Sequence, residues 1–185
     1  MHLEKNMSAI FAVRSQSNIE LLKELLQVLA GSFLIGLCAQ IAIPLPFTPV
    51  PITGQTFAIM LLGVLLGSRR GACAVLFYLA EITMGMPVLA GGAVAPLALI
   101  GPRGGYLLGM VLQAFLAGKC VERGWKQGKL FVGLMLTCAL ELACGAIFLA
   151  NFVGLSNVFF MGVLPFIPGE IIKSLLVSGY DHKGQ

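Results

Sequence analysis

Glu170 and Lys173 stand three residues apart in a stretch that is otherwise apolar or helix-starting, Leu164-Pro-Phe-Ile-Pro-Gly-Glu-Ile-Ile-Lys173. On a helix that spacing places an acid and an amine on one face. An ionisable group at membrane depth costs a few kcal/mol on insertion scales, so it needs a partner or a task. Counting back from Asp181 at about 1.5 Å per residue puts Lys173 roughly 12 Å and Glu170 roughly 16 Å above the end of the helix, inside the hydrocarbon. Pro165, Pro168 and Gly169 just upstream break or start the helix and free backbone amides to face a ligand. Two readings follow: the pair holds a polar solute, or it is an internal ion pair that neutralises itself. Glu141, about 16 Å along its own apolar stretch from Leu130, is another possible partner for Lys173.

Four more residues are candidates for a ligand site. Arg103 lies between Gly101-Pro102 and Gly104-Gly105, where a cation receives an anionic solute or else reaches water as an interfacial arginine. Thr53 and Gln55 are neutral hydrogen-bonding groups beside a proline run, suited to binding a polar ring or to capping a helix. Tyr106 reads first as a packing and interface residue and joins the ligand set. Glu81 reads as interfacial. Gly31, Ser32, Gly36 and Ala39 are small residues on one stretch, which let another helix approach closely. Either a separate subunit docks there or the bundle packs internally on them. Cys38, Cys73, Cys120, Cys138 and Cys144 include no C-x-x-C and read as small hydrophobes, and the two histidines lie near the termini. No metal site is expected.

The elements that must position these groups are membrane spans. Hydrophobic residues make up 58% of the 185 and charged residues 11%, where a soluble domain carries roughly a quarter charged. Glu4, Glu20 and Glu24 interrupt the amino-terminal stretch, so no cleavable signal is expected. Ser17 to Glu20 has the form of a capping box, which predicts a helix start near Asn18. An amino-terminal segment, 1–19, then precedes a membrane domain, 20–185, with spans near 20–43, 54–67, 72–84, 105–121, 130–153 and 166–180. The run Pro44, Pro46, Pro49 and Pro51 predicts extended chain lying against the protein. Ser68-Arg-Arg-Gly71 reads as a tight charged turn, and residues 154–165 as a turn followed by an apolar stretch. The connection from Gly85 to Gly105 is rich in glycine and proline and nearly free of charge, so it predicts a packed lid or cavity wall.

Charge supports the six-span, all-α reading. Ten of the twelve basic residues (Lys5, Arg14, Lys23, Arg69, Arg70, Lys119, Arg123, Lys126, Lys129 and Lys183) fall on one side of it, which predicts both termini in the cytoplasm. The net charge of +4 is thereby assigned to topology rather than to nucleic acid. No G-x-x-x-x-G-K-[ST] loop occurs, so no ATP site is expected on this chain. No serine or cysteine has a histidine available within the spans, which argues against an enzyme. Acid–base chemistry by Glu170 and Lys173, or a purely structural bundle subunit, are the competing functional classes.

Four segments together resemble the BioY family, the biotin-binding S components of energy-coupling factor (ECF) transporters. They are Pro49-Val-Pro-Ile-Thr-Gly-Gln-Thr-Phe57, Gly85-Met-Pro-Val-Leu-Ala-Gly-Gly92, Gly101-Pro-Arg-Gly-Gly-Tyr-Leu-Leu-Gly109 and Leu164–Lys173. The resemblance implies an integral membrane bundle of the ECF S-component type in a bacterial cell (inner) membrane, with an externally open biotin site closed by outer loops. It implies uptake energised by a separate transmembrane coupling subunit and two ATPases, with biotin as transported ligand and no cofactor. The small-residue face of Gly31, Ser32, Gly36 and Ala39 would correspond to the docking surface for the coupling subunit. Glu170 would accept from a ureido N–H and Lys173 would donate to the ureido oxygen or the carboxylate. Glu170 stands where the family usually has aspartate. An S component for another vitamin is the alternative within this class.

Overall fold

The first helix, α1 (His2–Gln40), ends where the proline run begins. The computed structural model describes residues 2–179, with side chains from Asn18 onward. Expectations that rest on the side chains of His2, Glu4, Lys5, Arg14 and Ser17, or on Tyr180, Asp181, His182 and Lys183, lie outside the described residues. The helix start predicted near Asn18 is not observed, because α1 is continuous from His2. A Ser-x-x-Glu pattern supplies only a local option for capping, and no glycine or proline in the preceding residues forces the helix to begin there. The expected first span also overran. Ala42–Ile43 is a short strand, β1, because Pro44 disfavours helical conformation in the residue before it.

The proline run is a pinned hairpin rather than merely extended chain. β1 pairs antiparallel with β2 (Ile52–Thr53), Ala42 opposite Thr53 and Ile43 opposite Ile52. Gly54 follows at a point where a Cβ would lie 2.7 Å from the Cys38 carbonyl oxygen, so the hairpin lies directly on the end of α1. Helix α2 (Gln55–Leu66) then runs back, and Gly67, at φ +82°, reverses the chain in a single residue. Helix α3 (Ser68–Thr83) therefore begins four residues before the expected position, and Ser68–Gly71 is its first turn, not a loop. That early start is stabilised from another helix. The Ser68 N–H and hydroxyl both donate to Glu122 Oε1, at 2.8 and 2.6 Å.

The Gly85–Gly105 connection is packed, as its composition predicted. It carries two short 3-10 turns, Ala90–Gly92 and Ala98–Ile100. Leu89 is buried in the core between α1, α2, α3 and α4 (Gly104–Glu122), with Val88, Ala95, Ala98 and Leu99 packed against it. The Tyr78 hydroxyl donates to the Val88 carbonyl at 2.9 Å, which fastens this lid to α3. Helices α4 and α5 (Gln127–Val153) approach closely, and Cβ atoms at Gly105 and Gly145 would collide with Phe148 and with the Tyr106 ring. The stretch after Gly154 is a further helix, α6 (Leu155–Gly162), where an irregular apolar run was expected. Its eight residues are too few for apolar periodicity to separate helix from extended chain. Helix α7 (Ile167–Ser178) closes the fold.

Helices α1 to α5 and α7 overlap the six segments expected as spans, with α6 as an added short element. Residues Asn18–Gln40, α4 and α5 are each long and apolar enough to cross a membrane, and α6 with α7 forms a fourth such unit bent by 43°. Large apolar side chains face outward along these helices, among them Phe33, Ile147, Leu155, Phe160, Ile172 and Leu176. A lipid-facing surface accounts for so wide an exposed apolar area, which a water-soluble monomer does not tolerate. The two basic turns lie together at one end, since Gly118 meets the backbone of Gly67 and Ser68 beside Arg69 and Arg70.

Candidate ligand-binding site

Pro168 in the first turn of α7 presets the helix, and the two polar side chains that follow it point into the bundle. Glu170 is 3% exposed. Lys173 Nζ lies 2.8 Å from Glu170 Oε1, 2.7 Å from Thr56 Oγ1 and 2.8 Å from the Thr53 carbonyl oxygen. An ammonium has three N–H donors, and all three are thereby placed. Glu170 also accepts from the Thr56 hydroxyl at 2.7 Å and, through Oε2, from the Cys138 thiol at 3.3 Å. The pair is an internal ion pair, and both residues also line a cavity.

That cavity is partly open to the outside. Thr53, Gln55, Arg103, Tyr106, Glu170 and Lys173, the six candidate ligand residues, all line it. They come from β2, α2, the start of α4 and α7, separated by up to 120 positions in the chain. Apolar walls are supplied by Val50, Leu89, Leu107, Met110, Leu142 and Phe166. A mostly apolar pocket with a few convergent polar groups is the usual form of a small-molecule site.

Several of these polar groups are held by the protein itself. The Gln55 side-chain amide donates to the Tyr78 hydroxyl at 2.6 Å and its Oε1 accepts from the Thr53 hydroxyl at 2.9 Å. With Tyr78 bonded onward to Val88, this chain of contacts links the hairpin, α2, α3 and the lid. Arg103 Nε donates to the Pro49 carbonyl at 3.0 Å, so the guanidinium straps the proline run to the start of α4. Half-burial lowers its pKa, but an arginine remains charged under such a shift. Arg103 forms no ion pair among the described residues, which leaves its terminal N–H groups for an anion. Glu141 lines the cavity as well, yet Lys173 pairs with Glu170 and not with it.

Tyr106 is both wall and brace. Its ring packs at 6.0 Å from the Phe166 ring, and its hydroxyl donates to the Gly162 carbonyl at 2.6 Å, tying α4 to the end of α6. Tyr106→Phe is expected to leave that buried carbonyl unpaired and to cost about 1 to 3 kcal/mol. Thermal unfolding of the detergent-purified protein measures it; an unchanged transition temperature would contradict the bracing role.

Of the two readings left open for the small residues of α1, internal packing is the one observed. Gly31, Ser32, Gly36 and Ala39 are buried within the bundle and present no outward docking face. A Cβ at Gly31 would lie 2.9 Å from Ala74 Cβ, and one at Gly36 would lie 3.7 Å from Val88, so small residues here admit α3 and the lid. Glu81, half-exposed near the end of α3, accepts from the buried Ser32 hydroxyl at 2.6 Å. The residues that sequence reasoning passed over are Thr56, Tyr78 and Cys138. Tyr78 and Cys138 lie in apolar spans with nothing to mark them, whereas Thr56 sits within the Pro49–Phe57 segment and was open to notice.

The BioY family model matches residues 7–183. "Biotin transporter BioY" of Rhizobium etli is 36% identical over 165 residues, covering 83% of this chain and 87% of that protein. "Biotin transporter BioY" of Rhodobacter capsulatus is 33% identical over 172 residues, covering 79% and 87%. A crystal structure at 2.1 Å of the S-component for biotin from an ECF-type ABC transporter superposes with a TM-score of 0.77 at 30% identity, covering 87% of this chain and 89% of that one.

Proposed function

Because the chain belongs to the BioY family, we propose that it is the biotin-binding, multi-pass membrane subunit of an ECF-type uptake system. The observation that carries the proposal is the cavity in which all six candidate residues converge on an otherwise apolar space. Biotin has an apolar bicyclic body, a ureido head and a carboxylate tail, and the cavity lining has apolar, acidic and basic groups to meet them. Glu170 has room for one further hydrogen bond, since a carboxylate offers about four acceptor sites and three are taken. It accepts a ureido N–H. Lys173 donates to the ureido oxygen, exchanging one of its three protein contacts for it. Arg103, with terminal N–H groups not engaged in an ion pair, receives the carboxylate.

Energy for uptake comes from a separate coupling subunit and two ATPases, in keeping with the absence of a phosphate-binding loop in the sequence. The end that carries Arg69, Arg70, Lys119 and Arg123 faces the cytoplasm, as the positive-inside bias predicts, and the lid then faces outward. A binding role suits the site better than acid–base turnover, because Glu170 and Lys173 are locked to each other and to Thr53 and Thr56.

Equilibrium titration of biotin against the detergent-purified protein is the test. Glu170→Gln is expected to weaken binding by about tenfold or more, since it removes the charge that strengthens the ureido contact, a difference of about 1.4 kcal/mol. Wild-type protein that fails to bind biotin would refute the proposal. Affinity retained within twofold in this variant would refute the assignment of Glu170.

A further inference from the structure

Glu141 is a carboxyl of the cavity wall that the protein leaves unsatisfied. It projects from the middle of α5, is 2% exposed, and lines the same space as Glu170 and Lys173. Its Oε2 is buried without a hydrogen-bond partner among the described residues. Such a group costs about 1 to 3 kcal/mol even when uncharged, and native structures rarely leave one without a reason.

No hydrogen bond from the described residues reaches that oxygen. The three Lys173 donors are placed on Thr53, Thr56 and Glu170, and turning one toward Glu141 strips an acceptor elsewhere. One N–H of the Gln55 amide is bonded to Tyr78, and the Tyr106 hydroxyl is bonded to the Gly162 carbonyl. Backbone movement is restricted too, because Gly109 of α4 packs directly on Glu141, where an added Cβ would lie 3.1 Å from its Cα. The Glu141 backbone is held in place, and the residue lines the ligand space.

We infer that Glu141 is a further ligand-binding residue, accepting the second N–H of a cyclic urea whose first N–H is taken by Glu170. The inference rests on the biotin reading above. A ureido ring offers two N–H donors on opposite sides of one carbonyl acceptor. One donor, Lys173, and one acceptor, Glu170, match two of its three polar groups; a second acceptor completes the set. Glu141 is the cavity group with that capacity unspent. A carboxyl keeps an acceptor oxygen whether or not it carries a proton, so the assignment does not depend on its charge. Discrimination follows from the same geometry: a solute lacking the second N–H leaves Glu141 buried and unpaired, the strongest kind of rejection a polar site provides.

Biotin titration of wild type, Glu141→Met and Glu141→Gln, with thermal unfolding of each in the absence of biotin, tests it. Glu141→Met is expected to weaken binding at least tenfold, while its biotin-free transition temperature equals or exceeds that of wild type because an unsatisfied group is gone. Glu141→Gln keeps a carbonyl acceptor and is expected to recover at least half of that loss on a logarithmic scale. Affinity of Glu141→Met within twofold of wild type, or equal losses in the two variants, would overturn the inference and leave the biotin reading standing. A fall in biotin-free stability of both variants would show a structural role instead and overturn it as well. Wild type that does not bind biotin would remove the biotin reading, and this assignment with it.

Discussion

Lys173→Ala is expected to lose biotin binding by more than about a hundredfold and to destabilise the protein by about 3 to 5 kcal/mol. The two effects share a cause. The ammonium is the common donor for Glu170 Oε1, the Thr56 hydroxyl and the Thr53 carbonyl, and its removal leaves a buried carboxylate with no cation nearby in a membrane span. Removing one partner of a buried pair costs far more than the pair is worth intact, because the surviving charge stays desolvated. The double variant Glu170→Leu with Lys173→Met separates stability from function. It abolishes the charge rather than stranding it, so it is expected to recover most of the lost thermal stability while biotin binding remains absent. Thermal unfolding and biotin titration on the three proteins measure both quantities. Binding restored in the double variant would show that the pair only holds the helices together.

Arg103→Ala is expected to reduce biotin affinity by about ten- to a hundredfold, the equivalent of about 1.5 to 3 kcal/mol for a charge-assisted contact. The methyl ester of biotin supplies the control. It lacks the anionic tail, so wild type is expected to bind it more weakly than biotin and Arg103→Ala is expected to bind both alike. Part of any loss reflects the strap from Arg103 Nε to the Pro49 carbonyl, whose release loosens the hairpin. Arg103→Lys addresses that: a point charge retains attraction for a carboxylate but not the planar fork that also holds Pro49. Ester and acid weakened by the same factor in Arg103→Ala would assign the residue to positioning the hairpin alone.

These two parts of the cavity lining were unequally legible in the sequence. Glu170 and Lys173 stood out because charges are scarce and expensive in apolar spans, and their three-residue spacing already implied a shared face. Arg103 was marked by the glycines and proline around it, but its attachment to Pro49 joins positions 54 residues apart and follows from no local pattern. Tyr78 was invisible, since an aromatic in an apolar helix has no signature; only the packing of the lid shows that its hydroxyl connects Gln55 to Val88. The short helix α6 was missed because eight apolar residues carry too little periodicity, and the early start of α3 because its stabilising carboxylate comes from α4.

Local chemistry was enough to determine that this chain spans a membrane, that it does so with six main helices, and that an acid–amine pair is buried on the last of them. Each of these follows from the cost of placing charge or unpaired backbone in hydrocarbon, a cost every residue carries wherever the rest of the chain lies. Tertiary structure alone decided which polar groups were left with capacity for a ligand. Lys173 had two candidate acids in the sequence, and packing gave it Glu170, with Glu141 left facing the cavity. It also turned the small residues of α1 inward, because whether such a face meets a partner or its own bundle depends on the helices around it.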